Sequence, residues 1–184
     1  MKTLILNGST RKNGDVQALV EAFIEGLCGE AQILTAGDNI SPCLDCRRCW
    51  EHPGCCIQDA MQKVYPYLVD CDIVALASPI WFSSLSGPLL NMASRFQTYF
   101  AGHFFRGEKD ILKPKSGVLL LAGAEPGTEK KPVETAHSIL KHINACSPLR
   151  VISSMCTNQI PARNDNVALT AARDAAKALN QQYN

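Results

Sequence analysis

The chain has 184 residues, 46% apolar and 7% aromatic, enough to bury one sizeable core and too few for two typical domains, so residues 1–184 are expected to form a single domain. Eighteen Lys and Arg face seventeen Asp and Glu, and a net charge of +1 supplies no global field to hold nucleic acid or an anionic membrane. The short apolar run at residues 4–6, ending in Asn7 and Gly8, is no signal-peptide core, which makes a cytoplasmic location the expectation.

Residues 2–7 read as a strand, and Val16, Leu19, Val20, Phe23 and Leu27 recur at helical spacing through residues 15–28. Residues 31–35 are a second strand, followed by a long Cys-rich loop to Ile57 in which Asp38-Asn39 and Pro53-Gly54 oppose regular structure. Met61, Val64, Leu68 and Val69 mark a helix, residues 73–77 a buried strand, and residues 85–99 a helix beginning near Pro88. Residues 73–94 carry no charge, but Pro79, Gly87, Pro88, Asn91 and five serines make them a strand, loop and helix rather than a membrane span. Residues 117–122 are a strand, 132–143 a helix, 150–155 a strand and 167–179 an Ala-rich helix. Alternating βα units predict an α/β fold with a parallel sheet covered on both faces. In such sheets ligands bind outside the carboxyl ends of the strands where the winding reverses, here after the first, third and fourth strands.

The first of these loops, NGSTRKNGD at residues 7–15, joins glycine turns, the hydroxyls of Ser9 and Thr10 and the cations of Arg11 and Lys12 to a helix N-terminus. That chemistry suits a phosphate. The spacing matches neither GxGxxG nor a P-loop, so a mononucleotide fits better than a dinucleotide or a nucleoside triphosphate; ordinary turn and helix-cap duty is the structural alternative. The second loop, SPIWFSSLSG at residues 78–87, places Pro79, Trp81 and Phe82 where rings flank a planar heterocycle; core packing is the better explanation for any single aromatic, and the joint position of the loop argues otherwise. AGAEPGT at residues 122–128 closes a third side.

With these segments in hand the chain resembles the NADPH-dependent FMN reductase-like branch of the flavodoxin superfamily, particularly its iron-sulfur flavoprotein members. The resemblance is carried by residues 7–14, SPCLDCRRCW at 41–50 ahead of Cys55, DCDIVALASPIWFSSLSG at 70–87, and Arg95. It implies a flavodoxin-like three-layer sandwich with a five-stranded parallel sheet in order 2-1-3-4-5. It places the FMN phosphate on Ser9, Thr10 and Arg11 with the neighbouring Gly14, Asp15 and Val16, and the isoalloxazine against Pro79, Ile80, Trp81, Phe82 and Ser83, with Gly123 closing the seat. It also implies NAD(P)H as electron donor, a small-molecule or small redox-protein acceptor, and a homodimer or homotetramer.

Nine cysteines is a high count, and five of them fall between Cys43 and Cys56. Without a secretory signal, metal or redox chemistry outranks a disulfide framework. Cys43, Cys46, Cys49 and Cys55 have the compact spacing that iron-sulfur flavoproteins use for a [4Fe-4S] cluster, with Cys56 as a substitute ligand. A zinc site and free or reversibly paired thiols beside Arg47 and Arg48 use the same thiolate chemistry and stay open. Cys28, Cys71, Cys146 and Cys156 read as small hydrophobes in helices and strands.

Phe96, Tyr99, Phe100, Phe104 and Phe105 are too many rings for an exposed loop, so the segment 96–106 packs against a partner subunit, covers the flavin, or forms a local hydrophobic patch. No histidine pairing or hydrolytic triad is visible and no catalytic side chain is assigned, because the cofactor performs the chemistry. The leading function is an FMN-dependent oxidoreductase that draws on NAD(P)H. An iron-sulfur electron carrier and a domain that has lost FMN are the alternatives.

Overall fold

A computed structural model of the chain describes residues 1–146 and 148–183. The elements run β1 (Lys2–Asn7), α1 (Asp15–Gly26), β2 (Glu30–Thr35), α2 (Arg48–Glu51), α3 (Met61–Asp70), β3 (Ile73–Trp81), β4 (Ser84–Leu85), α4 (Gly87–Ser94), α5 (Gln97–Phe105), β5 (Ser116–Ala122), α6 (Lys130–His142), β6 (Leu149–Ser154) and α7 (Asn166–Tyr183).

The sheet order is β2-β1-β3-β5-β6, all parallel, with β4 hydrogen-bonded antiparallel to the end of β3. The parallel strands thus keep the expected flavodoxin-like order. The sheet has six strands rather than five because β3 runs on past Ala77 to Trp81 and turns back through Phe82 and Ser83 to pair with β4.

Both faces are buried, which is why the central strands read as continuous apolar runs rather than alternating ones. Leu4, Leu6, Val74, Leu76, Leu119 and Leu121 pack on one side with Val64, Leu68, Leu89 and Leu140 from α3, α4 and α6. Ile5, Ala75, Ala77, Val118 and Leu120 pack on the other with Leu19 and Phe23 of α1 and with Ala168, Ala172 and Ala176 of α7. The alanines recur every fourth residue, so they form one small-residue stripe along α7 that faces α1.

Two local expectations are corrected. The helix read over residues 85–99 is two helices, α4 and α5, parted at Arg95 and Phe96, where tight turns run from Arg95 N to Met92 O and from Phe96 N to Ala93 O. Within the Cys-rich loop, residues 48–51 form the single turn α2. Among the described residues no helix is long and apolar enough to cross a membrane.

Gly117 marks the tightest approach at the amino end of the sheet, because a Cβ there would stand 2.2 Å from the Ala145 carbonyl oxygen. Backbone cannot step aside as a side-chain tip can. Gly117→Ala is expected to lower stability by about 1–3 kcal/mol, the cost of overpacking a filled site, read as a lower urea midpoint at unchanged slope; an unchanged midpoint would show that residue 145 relaxes freely.

Candidate functional site

The exits of β1 and β3 are locked together before any ligand is considered. Gly8 N donates to Ala77 O at 2.8 Å, and the Ser86 hydroxyl donates to Gly8 O at 2.8 Å. A Cβ on Gly8 would fall 2.5 Å from both Leu89 Cβ and Ser86 Oγ, so only glycine allows α4 this close. Ser86 also caps α4 by accepting from Leu89 N at 3.4 Å, and its own amide donates to Ser78 Oγ at 2.9 Å. Ser78 and Ser86 are in this way structural clasps.

Beyond the clasp, Asn7 Oδ1 accepts from Ser9 N at 2.9 Å and Ser9 Oγ accepts from Arg11 N at 3.2 Å, which curls the loop toward the start of α1. Gly14 caps α1 without a side-chain acceptor, leaving first-turn amides for an outside anion. Asp15, the one acid in that first turn, is already engaged: Oδ1 accepts from Ala162 N at 2.9 Å and Oδ2 lies 3.7 Å from the Arg11 guanidinium.

A cavity of about 260 Å³ opens over these strand ends. Ser9, Thr10, Arg11, Asp15 and Val16 line one wall, Pro79, Ile80 and Trp81 a second, and Ala122, Gly123, Ala124 and Thr157 a third. Gly14 lies behind the first wall as the helix cap, while Phe82 and Ser83 form the hairpin tip rather than the lining. Both tip residues are left-handed, at φ 51° and 54°, the backbone a two-residue hairpin turn requires, and Phe82 is fully exposed. Holding non-glycine residues there costs of order 1–3 kcal/mol each, a strain typical of ligand-binding loops. Thr157 escaped the sequence reading; its amide donates to Gly123 O at 3.1 Å, a contact between segments far apart in the chain.

A second cavity, about 170 Å³, lies in the loop after β2. Cys43, Cys46, Cys49, Cys55 and Cys56 all line it, with Arg95, Trp50, Phe100 and Phe105. Among the described residues no three His, Cys, Asp or Glu side chains close on a point that would hold one metal ion. The thiols surround a space instead.

That loop is tied down by Arg95, whose side chain is wholly buried. Its Nη1 donates to Asp59 Oδ2 at 2.5 Å and to Ser41 O at 3.0 Å, and its Nη2 to Ile57 O at 3.2 Å. Arg95 Nε and the Tyr65 hydroxyl, both beside Cys55, are buried donors with no partner among the described residues. From the other end Arg106 donates to Cys49 O while gripping Glu108 through two 2.8 Å bonds, and Trp50 stacks on Phe105 with centroids 4.1 Å apart. Of the rings in residues 96–106, Phe100 and Phe105 line this cavity, and none lines the one over β1, β3 and β5.

The thiols differ electrostatically. The Arg48 amide, followed by the Cys56 thiol, holds Cys46 below the ordinary thiol range. The same pairing raises Cys56, and burial raises Cys49.

The profile of the NADPH-dependent FMN reductases matches residues 1–158. The chain belongs to that family. This FMN reductase family member is an oxidoreductase of the NAD(P)H-dependent type, and the residues that line the cavity over β1, β3 and β5, from Ser9 to Thr157, fall within the matched region. It is 22% identical to an iron-sulfur flavoprotein of Methanocaldococcus jannaschii over 97% of this chain and 95% of that protein. An iron-sulfur flavoprotein of Archaeoglobus fulgidus is 31% identical over 65% of this chain and 60% of that one. Among solved structures, an NAD(P)H:quinone oxidoreductase from Methanothermobacter marburgensis superposes with a TM-score of 0.75 at 18% identity, covering 98% of this chain and 97% of that one. At that identity the likeness establishes the fold.

Arg95→Met strands the Asp59 carboxylate, itself only 12% exposed, and breaking such a pair costs about 3–5 kcal/mol. The expected result is a lower unfolding midpoint together with new protease cleavage inside residues 41–59, only partly restored by Arg95→Lys, which lacks the forked donors. A variant whose loop stays as protected as wild type would show that ring packing alone holds it.

Proposed function

We propose that this FMN reductase family member is an oxidoreductase whose FMN sits at the ends of β1, β3 and β5 and carries electrons from NAD(P)H to a small acceptor such as a quinone or a flavin. The observation that carries the reading is the convergence of the Ser9-Thr10-Arg11 turn, the open start of α1 and the apolar exits of β3 and β5 on one cavity. Phosphate oxygens find hydroxyls, amides and a guanidinium on the first wall. Pro79, Ile80 and Trp81 offer a flat apolar flank to the ring, and Gly123 keeps the opposite wall low. Bound FMN supplies the hydride-accepting and electron-releasing chemistry. The protein's part is to bind, orient and exclude water, so no side-chain acid or base is assigned. Asp15 does not oppose the phosphate, since its carboxylate is turned to Ala162 and Arg11.

The same proposal gives Cys43, Cys46, Cys49 and Cys55 to a [4Fe-4S] cluster. A cubane spreads its irons over four corners, so its thiolates stand further apart than around a single ion, which suits thiols that line a cavity without meeting. The unpartnered Arg95 Nε and Tyr65 hydroxyl are donors placed for thiolate or sulfide acceptors at Cys55. Such a cluster, when bound, passes single electrons. A cytoplasmic homodimer or homotetramer belongs to this reading as well, supported by Phe104 and Phe105, which are 64% and 49% exposed.

Protein purified without oxygen is expected to show flavin absorption bands, to oxidise NAD(P)H when a quinone is added, and to hold roughly four irons and matching sulfide per chain. Arg11→Ala should weaken FMN binding roughly tenfold, the effect of losing one charge-assisted hydrogen bond at a solvent-facing site. A colourless protein that ignores added FMN overturns the flavin assignment; flavin bands without iron leave the reductase and remove the cluster.

A further inference from the structure

The geometry points to Cys46 and Cys56 as a reversible disulfide site at the mouth of the cysteine cavity. Their sulfurs stand 3.4 Å apart across ten positions of sequence, and both side chains are exposed. Among the described residues no other pair of thiols is in hydrogen-bonding contact. Cys56 is also the one cysteine of the loop that the cluster assignment leaves over.

Each sulfur sits on a segment fixed from outside the pair. On the Cys46 side, α2 is pinned by Trp50 stacked on Phe105 and by Arg106 on Cys49 O. Cys46 is flanked by left-handed Asp45 and Arg47, at φ 47° and 60°, a strained backbone that aims one side chain. On the Cys56 side, Gln62 of α3 donates to Cys55 O at 2.9 Å and to Ile57 O at 2.6 Å. Closing the bond therefore needs a short approach of two sulfurs toward about 2.0 Å, with no loop to gather.

The chemistry balances with a peroxide as oxidant. Cys46 sulfur attacks one peroxide oxygen, the O–O bond breaks, a sulfenic acid forms on Cys46 and one water leaves; Cys56 sulfur then attacks the Cys46 sulfur and displaces a second water as the S–S bond forms. The two thiols lose two protons and two electrons in all, and a small thiol reverses the step by exchange. Once bonded, Cys46 is no longer available as a ligand, so oxidation closes the loop to iron; that consequence rests on the cluster reading above, whereas the bond does not.

The test treats the reduced, FMN-loaded, iron-free full chain with stoichiometric hydrogen peroxide, maps cross-linked peptides, and then measures iron taken up on anaerobic reconstitution. The Cys46–Cys56 link is expected to outnumber any other pair roughly tenfold, a preference of about 1.4 kcal/mol, to vanish with a small thiol, and to be absent in Cys56→Ser. Oxidised wild type should take up several-fold less iron than reduced wild type, and treating the oxidised wild type with the small thiol should restore the uptake of the reduced form. Links spread over other pairs, or separate over-oxidation of the two cysteines, overturn the disulfide site. Equal uptake by oxidised and reduced wild type overturns the gate, and no uptake by reduced wild type fails the cluster reading while the peptide map still decides the bond.

Discussion

A guanidinium buried inside a protein must find acceptors for its charge and its fork of donors, and Arg95 finds them on a loop that ends more than thirty positions earlier in the chain. Asp59 neutralises it, and the carbonyls of Ser41 and Ile57 complete the set. Because those acceptors stand at both ends of the cysteine segment, one side chain turns a stretch rich in turn residues into a closed loop around a cavity. The same residue lies where α4 stops and α5 begins, so the helix break and the loop closure share a position. Well-packed apolar groups in place of a buried ion pair are often neutral or stabilising, so net stability does not explain this one. Its role here is to set a geometry.

A second clasp organises the other cavity. Ser86 binds the Gly8 carbonyl while capping α4, so the loop after β1 and the loop after β3 cannot move independently. The Ser9-Thr10-Arg11 turn and the apolar exit of β3 are therefore registered to each other by the scaffold. No residue lines both the cavity over β1, β3 and β5 and the cavity after β2, yet both open from the carboxyl end of the same parallel sheet. This is the edge where a doubly wound sheet leaves loops free to take on chemistry.

The aromatic segment links rigidity to redox chemistry. Trp50 on Phe105, Arg47 4.9 Å from the centre of the Trp50 ring, and Arg106 on the Cys49 carbonyl hold α2 against α5. Thiols held on so constrained a backbone keep fixed partners, and fixed partners are what separate a selective thiol pair from indiscriminate oxidation.

The parallel sheet was legible in the sequence because strands buried on both faces must be apolar throughout, as residues 73–77 and 117–122 are. The two main walls of the cavity over β1, β3 and β5 were legible for a related reason: each comes from one contiguous strand exit, so Ser9 to Arg11 and Pro79 to Trp81 announce themselves by local composition. The third wall was half visible, since Gly123 is local but Thr157 reaches the cavity from the loop after β6. What the tertiary structure alone decided are contacts between residues distant in sequence. The cysteine spacing could not say which thiols touch, that Arg95 would fasten their loop, or that Phe100 and Phe105 would line the cavity the thiols surround. Periodicity and local composition report what a segment buries, whereas a guanidinium 36 positions from its carboxylate, or a thiol ten from its partner, is placed only by the packing of the whole chain.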